Sequence, residues 1–210
     1  VKEVLMRVGA LPRFTTNEMS YYLSWSTNGL INEYCNEADA IYEGKPVKVM
    51  PLEGSEKLVI EGESFEAFNT SGGCATMCET YANKVENLTY KTIRYPGHLN
   101  HMRFLFNDLH LKKNKDILEK LFDKEVPRTK NDVIIFFVKV IGLIDGVLQE
   151  KTYLRKIYGN EKFSAIQLTT ASGACSALKM HLDGKISSKG FIRQESLSWN
   201  DFTDNKFGNV

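Results

Sequence analysis

A chain of 210 residues with 42% hydrophobic and 25% charged side chains has enough apolar surface for one substantial domain, or at most two small ones. Twelve Phe and nine Tyr exclude a disordered linker, because such rings offset the entropy of ordering when buried. The 27 basic and 26 acidic residues are mixed along the sequence and leave a formal charge of +1, so neither a basic stripe for nucleic acid nor an acidic tail is present.

The first residues, VKEVLMRV, lack an initiator Met and a cleavage-type signal and read as a strand, so a longer parent chain is expected. Residues 2–10 form that strand, ended by Leu11-Pro12. The aromatic and hydroxyl-rich segment Tyr21 to Ser26 leads into a helix at 27–36, with Thr27 or Asn28 near its N-cap. Ala40 to Tyr42, the turn Glu43-Gly44 and the alternating Val47 and Val49 predict a hairpin. Strands follow at 57–61 and 64–68, then a short helix at 74–82 and a strand at 88–95 stopped by Pro96-Gly97. Met102, Leu105, Phe106 and Leu109 share one helical face, as do Ile117, Leu118, Leu121 and Phe122.

The apolar run 132–145 meets Asp145-Gly146, a two-residue hairpin turn, and 147–158 returns as its partner strand. Its longest apolar stretch, Val133 to Ile144, is broken by Lys139 and Gly142 and reaches about half of the ~20 residues that cross a bilayer, so no membrane span is expected. A long helix covers 162–183, with Leu168, Ala171, Cys175, Leu178 and Leu182 as its expected buried stripe and Gly184 as its stop. A last strand is expected at 190–197. Two hairpins and clustered elements predict an α+β fold: a mixed, largely antiparallel sheet covered by helices, with 1–210 as a single domain.

Ser71-Gly72-Gly73-Cys74 lies between a strand and a helix but lacks the third glycine and downstream acid of a dinucleotide fingerprint, so it reads as a tight turn. Cys74 and Cys78 are spaced to share a helix face, yet no second ligand pair at zinc spacing accompanies them, and no metal is expected. With Cys35 and Cys175 they read as reduced thiols of a cytoplasmic protein. The block Tyr90 to His98, YKTIRYPGH, sets Arg94, Tyr95 and His98 around a Pro-Gly corner. A guanidinium there can grip a carboxylate and an imidazole can move protons; the plainer reading is an Arg bonded to carbonyls and a His starting a helix. Thr169 to Cys175 is a run of small residues, suited either to tight helix–sheet packing or to facing a cofactor domain.

Together these stretches resemble the saccharopine dehydrogenase family, including the lysine 6-dehydrogenases. Val8-Gly9-Ala10-Leu11-Pro12 is close to its G-G-L-P, and Tyr22 to Gly29 is close to Y-x-x-S-W-S-x-x-G. Glu66 to Gly73, Tyr90 to His98 and Leu168 to Phe191 extend the match, with about 110–160 least distinctive. The resemblance implies the second, substrate-binding and dimerising domain of an amino-acid oxidoreductase, without its Rossmann domain. Hydride would leave a carbon bearing nitrogen for NAD or NADP in the full-length enzyme, and no dinucleotide is expected to bind this chain alone. It also implies substrate contacts from Ser24, Trp25, Ser26, Asn28 and Arg94, catalysis by His98, Thr169 and Thr170 near the nicotinamide, and a homodimer. Asn28 departs from the Arg that saccharopine reductases place before this glycine, and a neutral amide cannot replace a bidentate charged contact. That tilts the expected substrate toward a lysine-like amino acid, and leaves a non-catalytic interaction or dimerisation module as the alternative.

Overall fold

The structure, a computed structural model, describes residues 1–209. Its centre is β1 (Glu3–Pro12), which runs parallel to β6 (Asn87–Arg94) and antiparallel to β7 (Asp132–Ile144). β2 (Ala38–Tyr42) and β3 (Lys45–Val49) extend the sheet beyond β6, and β8 (Val147–Tyr158) forms the other edge, giving the order β3-β2-β6-β1-β7-β8. The hairpin of β4 (Glu56–Ile60) and β5 (Glu63–Phe68) joins the later half of β6, where Phe68 pairs with Thr92. The sheet is therefore mixed and mostly antiparallel, as the hairpin signals predicted. At Asp145-Gly146 both residues have positive φ, 51° and 77°, the conformation that a two-residue hairpin turn demands.

Alternation along the strands separates two faces. Leu11, Ile93 and Ile135 point to one face, where Ile60 and Phe65 of the β4–β5 hairpin bury them. Gly9 belongs to that face because a Cβ there would lie 2.9 Å from Ile93 Cβ. The other face carries Val4, Met6, Val8 and Ala10, with Tyr90, Thr92 and Arg94 beside them. α2 (Met77–Tyr81) covers its β2–β6 side and α5 (Ala165–Leu182) its β7–β8 side. A third cluster packs α1 (Thr27–Cys35), α3 (His98–Arg103) and α4 (Lys115–Glu125) through Leu30, Tyr34, Met102 and Phe122. One π-helical turn, Phe104–Asp108, continues α3.

α5 is held at its start by two devices. Ser164 and Gln167 form a reciprocal capping box, the S-x-x-Q form of that signal. Asp132, fully buried at the start of β7, accepts the Ala165 and Ile166 amides at 2.6 and 3.0 Å. A carboxylate here satisfies two otherwise orphaned donors and meets the positive end of the helix.

Two expectations need correction. The stripe Leu168, Ala171, Cys175, Leu178 and Leu182 does not face the core: Leu178 is 57% and Leu182 72% exposed, while Ala165, Ser176 and Met180 are buried. The helix is apolar on more than one side, so periodicity alone does not fix its rotation. Asp132 at one end and the Ser176 hydroxyl, bonded to the Phe202 carbonyl, choose the inward face. Residues 190–197 are not a strand but an irregular strap with one 3₁₀ turn, Gln194–Ser196, leading to α6 (Trp199–Thr203). Side chains bind this strap in place of a ladder: Thr76 and Thr80 donate to the Glu195 carboxylate, and Arg193 pairs with Glu79 at 2.8 Å.

Replacing Asp132 with Ala leaves two buried helix-end amides without an acceptor. Urea unfolding should show a loss of about 2–4 kcal/mol, against less than about 0.5 kcal/mol for Leu182→Ala on the exposed face. Equal losses for the two variants would contradict the anchoring role.

Candidate functional site

A cleft of about 280 Å³ opens on the sheet face between α1 and the first turns of α5. Val8, Ala10, Ile134 and Phe136 form its apolar floor, and Trp25 and Ile166 stand at its sides. Glu33, Tyr90, Thr92, Arg94, Thr169 and Thr170 supply its polar surface. Among the described residues, no group of three or more His, Cys, Asp or Glu side chains is placed to hold a metal ion.

Arg94 is only 2% exposed, yet its guanidinium is not fully used by the protein. Nε donates to the Tyr34 hydroxyl at 2.9 Å, and Nη1 donates to Thr92 Oγ1 at 2.6 Å and to the Ile93 carbonyl at 2.8 Å. Among the described residues Nη2 has no hydrogen-bond acceptor; its nearest anion is Glu33, 4.0 Å away. Two N–H donors of a fixed, always charged fork thus remain at the cleft. Burial pushes the Glu33 carboxyl up, and the Arg94 charge opposes that shift. One cleft therefore offers a cation with free donors and a carboxylate.

Glycines seat the two aromatic walls. A Cβ on Gly29 would lie 2.6 Å from the Trp25 ring, and one on Gly73 would lie 2.3 Å from the Tyr90 ring. Trp25 is further fixed by donating from its indole to the Tyr21 hydroxyl at 3.1 Å. The Tyr90 hydroxyl has no hydrogen-bond partner among the described residues, and burial holds its pKa above the ordinary value.

The residues expected to bind substrate or cofactor fall into two groups. Trp25, Arg94, Thr169 and Thr170 meet in the cleft. Ser24, Ser26 and Asn28 do not line it. Ser26 caps α1 by accepting the Gly29 amide, and Asn28 is exposed and donates to Glu119 at 3.2 Å. Ser24 keeps a buried hydroxyl with no hydrogen-bond partner among the described residues. His98, the expected catalytic group, lies wholly buried behind Arg94. Its Nδ1 contacts the Met19 carbonyl at 2.9 Å, and Nε2 contacts the Tyr34 hydroxyl at 3.0 Å. A carbonyl can only accept, so Nδ1 carries the proton and Nε2 accepts from Tyr34, whose oxygen in turn accepts from Arg94. Burial and the Arg94 charge push His98 down to about 3.

Glu33 and Tyr90 were missed from sequence. Glu33 sits beside Tyr34 on α1, so it reads as an ordinary polar helix position, and Tyr90 reads as a strand aromatic.

Comparison with known proteins gives a family profile and a solved structure. The profile described as the saccharopine dehydrogenase C-terminal domain matches residues 1–205. The apo histidine-tagged saccharopine dehydrogenase (L-Glu forming) from Saccharomyces cerevisiae is similar with a TM-score of 0.69 at 16% identity. That alignment covers 97% of this chain and 63% of the yeast chain, so the chain spans less than two thirds of that protein. At this identity the likeness speaks to the fold.

A neutral His98 has a consequence for stability. The unfolded chain takes a proton near 6.5 and the folded chain only near 3. This contribution is complete above the higher value and is lost as pH falls toward the lower one. Unfolding free energy should drop by about 1.4 kcal/mol per pH unit over that window. His98→Asn should flatten this slope in urea titrations at stepped pH; an unchanged slope would mean that His98 is not the neutral buried group.

Proposed function

We infer the function from one premise: the chain belongs to the saccharopine dehydrogenase C-terminal domain family. On our reading it is the substrate-side and dimerisation domain of an NAD(P)-dependent amino-acid oxidoreductase acting on a C–N bond of a lysine-like or saccharopine-like substrate. The observation that carries this reading is the half-used guanidinium of Arg94 sharing a cleft with Glu33. A free amino acid presents a carboxylate and an ammonium close together, and these two side chains complement that pair.

In this reading Arg94 Nη2 takes the substrate carboxylate, Glu33 takes the ammonium, and Trp25 walls the reacting carbon from water. Tyr34 and His98 act behind Arg94 as positioning residues, since a histidine kept neutral and doubly hydrogen-bonded fixes the phenol that fixes the guanidinium. Ser26 and Asn28 act on the substrate through the first turn of α1 and hence through the seat of Trp25. Ser24, with its spare buried hydroxyl, belongs to the same wall.

The dinucleotide would accept the hydride, but this chain does not fit its phosphates. The glycine turn at 72–73 follows β5, whose strand neighbours are antiparallel, and Gly73 is occupied in seating Tyr90. We assign phosphate binding to a separate Rossmann domain, with Thr169 and Thr170 at the rim facing the nicotinamide. We assign dimerisation to the long β7–β8 hairpin, whose outer strand β8 is exposed over most of its length. The four free thiols suit a cytoplasmic protein.

The test is steady-state amine oxidation by the full-length parent chain, followed through nicotinamide absorbance. Glu33→Gln should raise KM about tenfold with kcat within about threefold, because uniform binding is what is lost. Arg94→Lys should raise KM by roughly tenfold to a hundredfold, because an ammonium cannot reproduce the fork. Absence of turnover on every amino acid with either dinucleotide, in a chain that still dimerises, would favour the non-catalytic module.

A further inference from the structure

The turn between β5 and α2 touches two sides of the cleft at once. Ser71 donates its amide to the Glu33 carbonyl at 3.2 Å and its hydroxyl to the Asn32 carbonyl at 3.4 Å. Carbonyls this close to the end of a helix need acceptance from outside it, so the turn holds α1 at the residue that carries the cleft carboxylate. Two positions on, Gly73 lies flat against Tyr90, where an added Cβ would come within 2.3 Å of three ring atoms. Residues 71–73 therefore fix the backbone of Glu33 and the ring of Tyr90 relative to each other.

Alternation along β6 puts Tyr90, Thr92 and Arg94 on the cleft face. Thr92 is engaged within the protein, accepting from Arg94 Nη1 and donating to the Val8 carbonyl at 3.4 Å. The Tyr90 hydroxyl has no such partner among the described residues. Burial and the Glu33 charge both oppose its ionisation, so it stays a neutral phenol that can give one hydrogen bond and accept another.

An ammonium brings three N–H donors, and each one left without an acceptor out of water is costly. Glu33 alone does not meet that demand. Thr169, like Thr92, is already bonded, to the Ala165 carbonyl at 2.9 Å. Thr170 belongs to the separate helix α5, and only Tyr90 is tied through the 71–73 turn to the carboxylate in question.

We propose that the Tyr90 hydroxyl completes the ammonium seat, its oxygen accepting one N–H of the bound amino acid while its proton is given to the Glu33 carboxylate. The proposal rests on the reading of the cleft as an amino-acid site and adds a specificity-determining residue to it. A ligand with a carboxylate but no neighbouring ammonium satisfies Arg94 and leaves the Glu33–Tyr90 pair without its bridge. The two glycines after Ser71 thereby acquire a part in recognition, through the ring that Gly73 admits.

Tyr90→Phe removes only the hydroxyl and keeps the ring against Gly73, so the fold should survive it. The full-length parent chain is titrated calorimetrically with L-lysine and with 6-aminohexanoate, which is lysine without its α-ammonium. The substitution should weaken L-lysine about tenfold to a hundredfold, as for a buried hydrogen bond to a charged group, and 6-aminohexanoate less than about twofold. In a Glu33→Gln background the same change should weaken L-lysine less than about threefold, because both residues act on one ammonium. An unchanged affinity for L-lysine, or equal losses for the two ligands, overturns the assignment of Tyr90 while Arg94 and Glu33 still stand on their own variants. Should 6-aminohexanoate bind too weakly to register, the double substitution decides, and additive losses overturn the proposal. Failure of L-lysine to bind the unmodified chain removes the amino-acid reading itself and this proposal with it.

Discussion

A buried guanidinium has to be supported by the chain around it, and that requirement organises this domain. Arg94 brings a permanent charge and five N–H donors into a region 2% exposed. To hold it, β6 supplies Thr92 and the Ile93 carbonyl, α1 supplies Tyr34, and α3 supplies His98 behind Tyr34. Tyr21 and Tyr34 also present ring faces to it, with centroids 5.4 and 5.8 Å from the guanidinium carbon. The sheet and the helical cluster are thus joined through one side chain.

The other buried arginine makes the meaning of this clear. Arg7, also 2% exposed, projects from the opposite face of β1 and is paired directly with Glu56, with further bonds to Thr89. Lys91 shares the same carboxylate at 2.7 Å. That network is closed within the protein, whereas the one around Arg94 stops short at the cleft. Burial is the same in both; the difference lies in where the last donors point.

Much of the architecture was legible because it is written in local chemistry. Alternating strands and the Asp145-Gly146 turn each act within a few residues; the Ser164-x-x-Gln167 box is just as local, but the expected helix start at 162 passes over it. The resemblance motif was also visible, but its physical content was not. In Ser24-Trp25-Ser26-Thr27-Asn28-Gly29 only Trp25 enters the cleft, while Ser26 starts the helix and Gly29 clears space for the indole. The rotation of α5, the strap at 190–197 and the roles of Glu33 and Tyr90 depend on partners distant in sequence, such as Thr76 for Glu195, and no periodicity encodes those. His98 illustrates the limit well: its type suggests proton chemistry, and only its two neighbours reveal a fixed, neutral ring.

The grip of Asp132 on the first turn of α5 bears on the order in which the chain assembles. The amides it accepts lie 33 and 34 residues onward, and the intervening sequence is almost entirely the β7–β8 hairpin with its own two-residue turn. Hairpin closure is local and fast, whereas docking a long helix onto a distant carboxylate must wait until that carboxylate is in place. The hairpin is therefore the template and α5 the late arrival. The helix that roofs the cleft thus docks after the hairpin that carries its anchor.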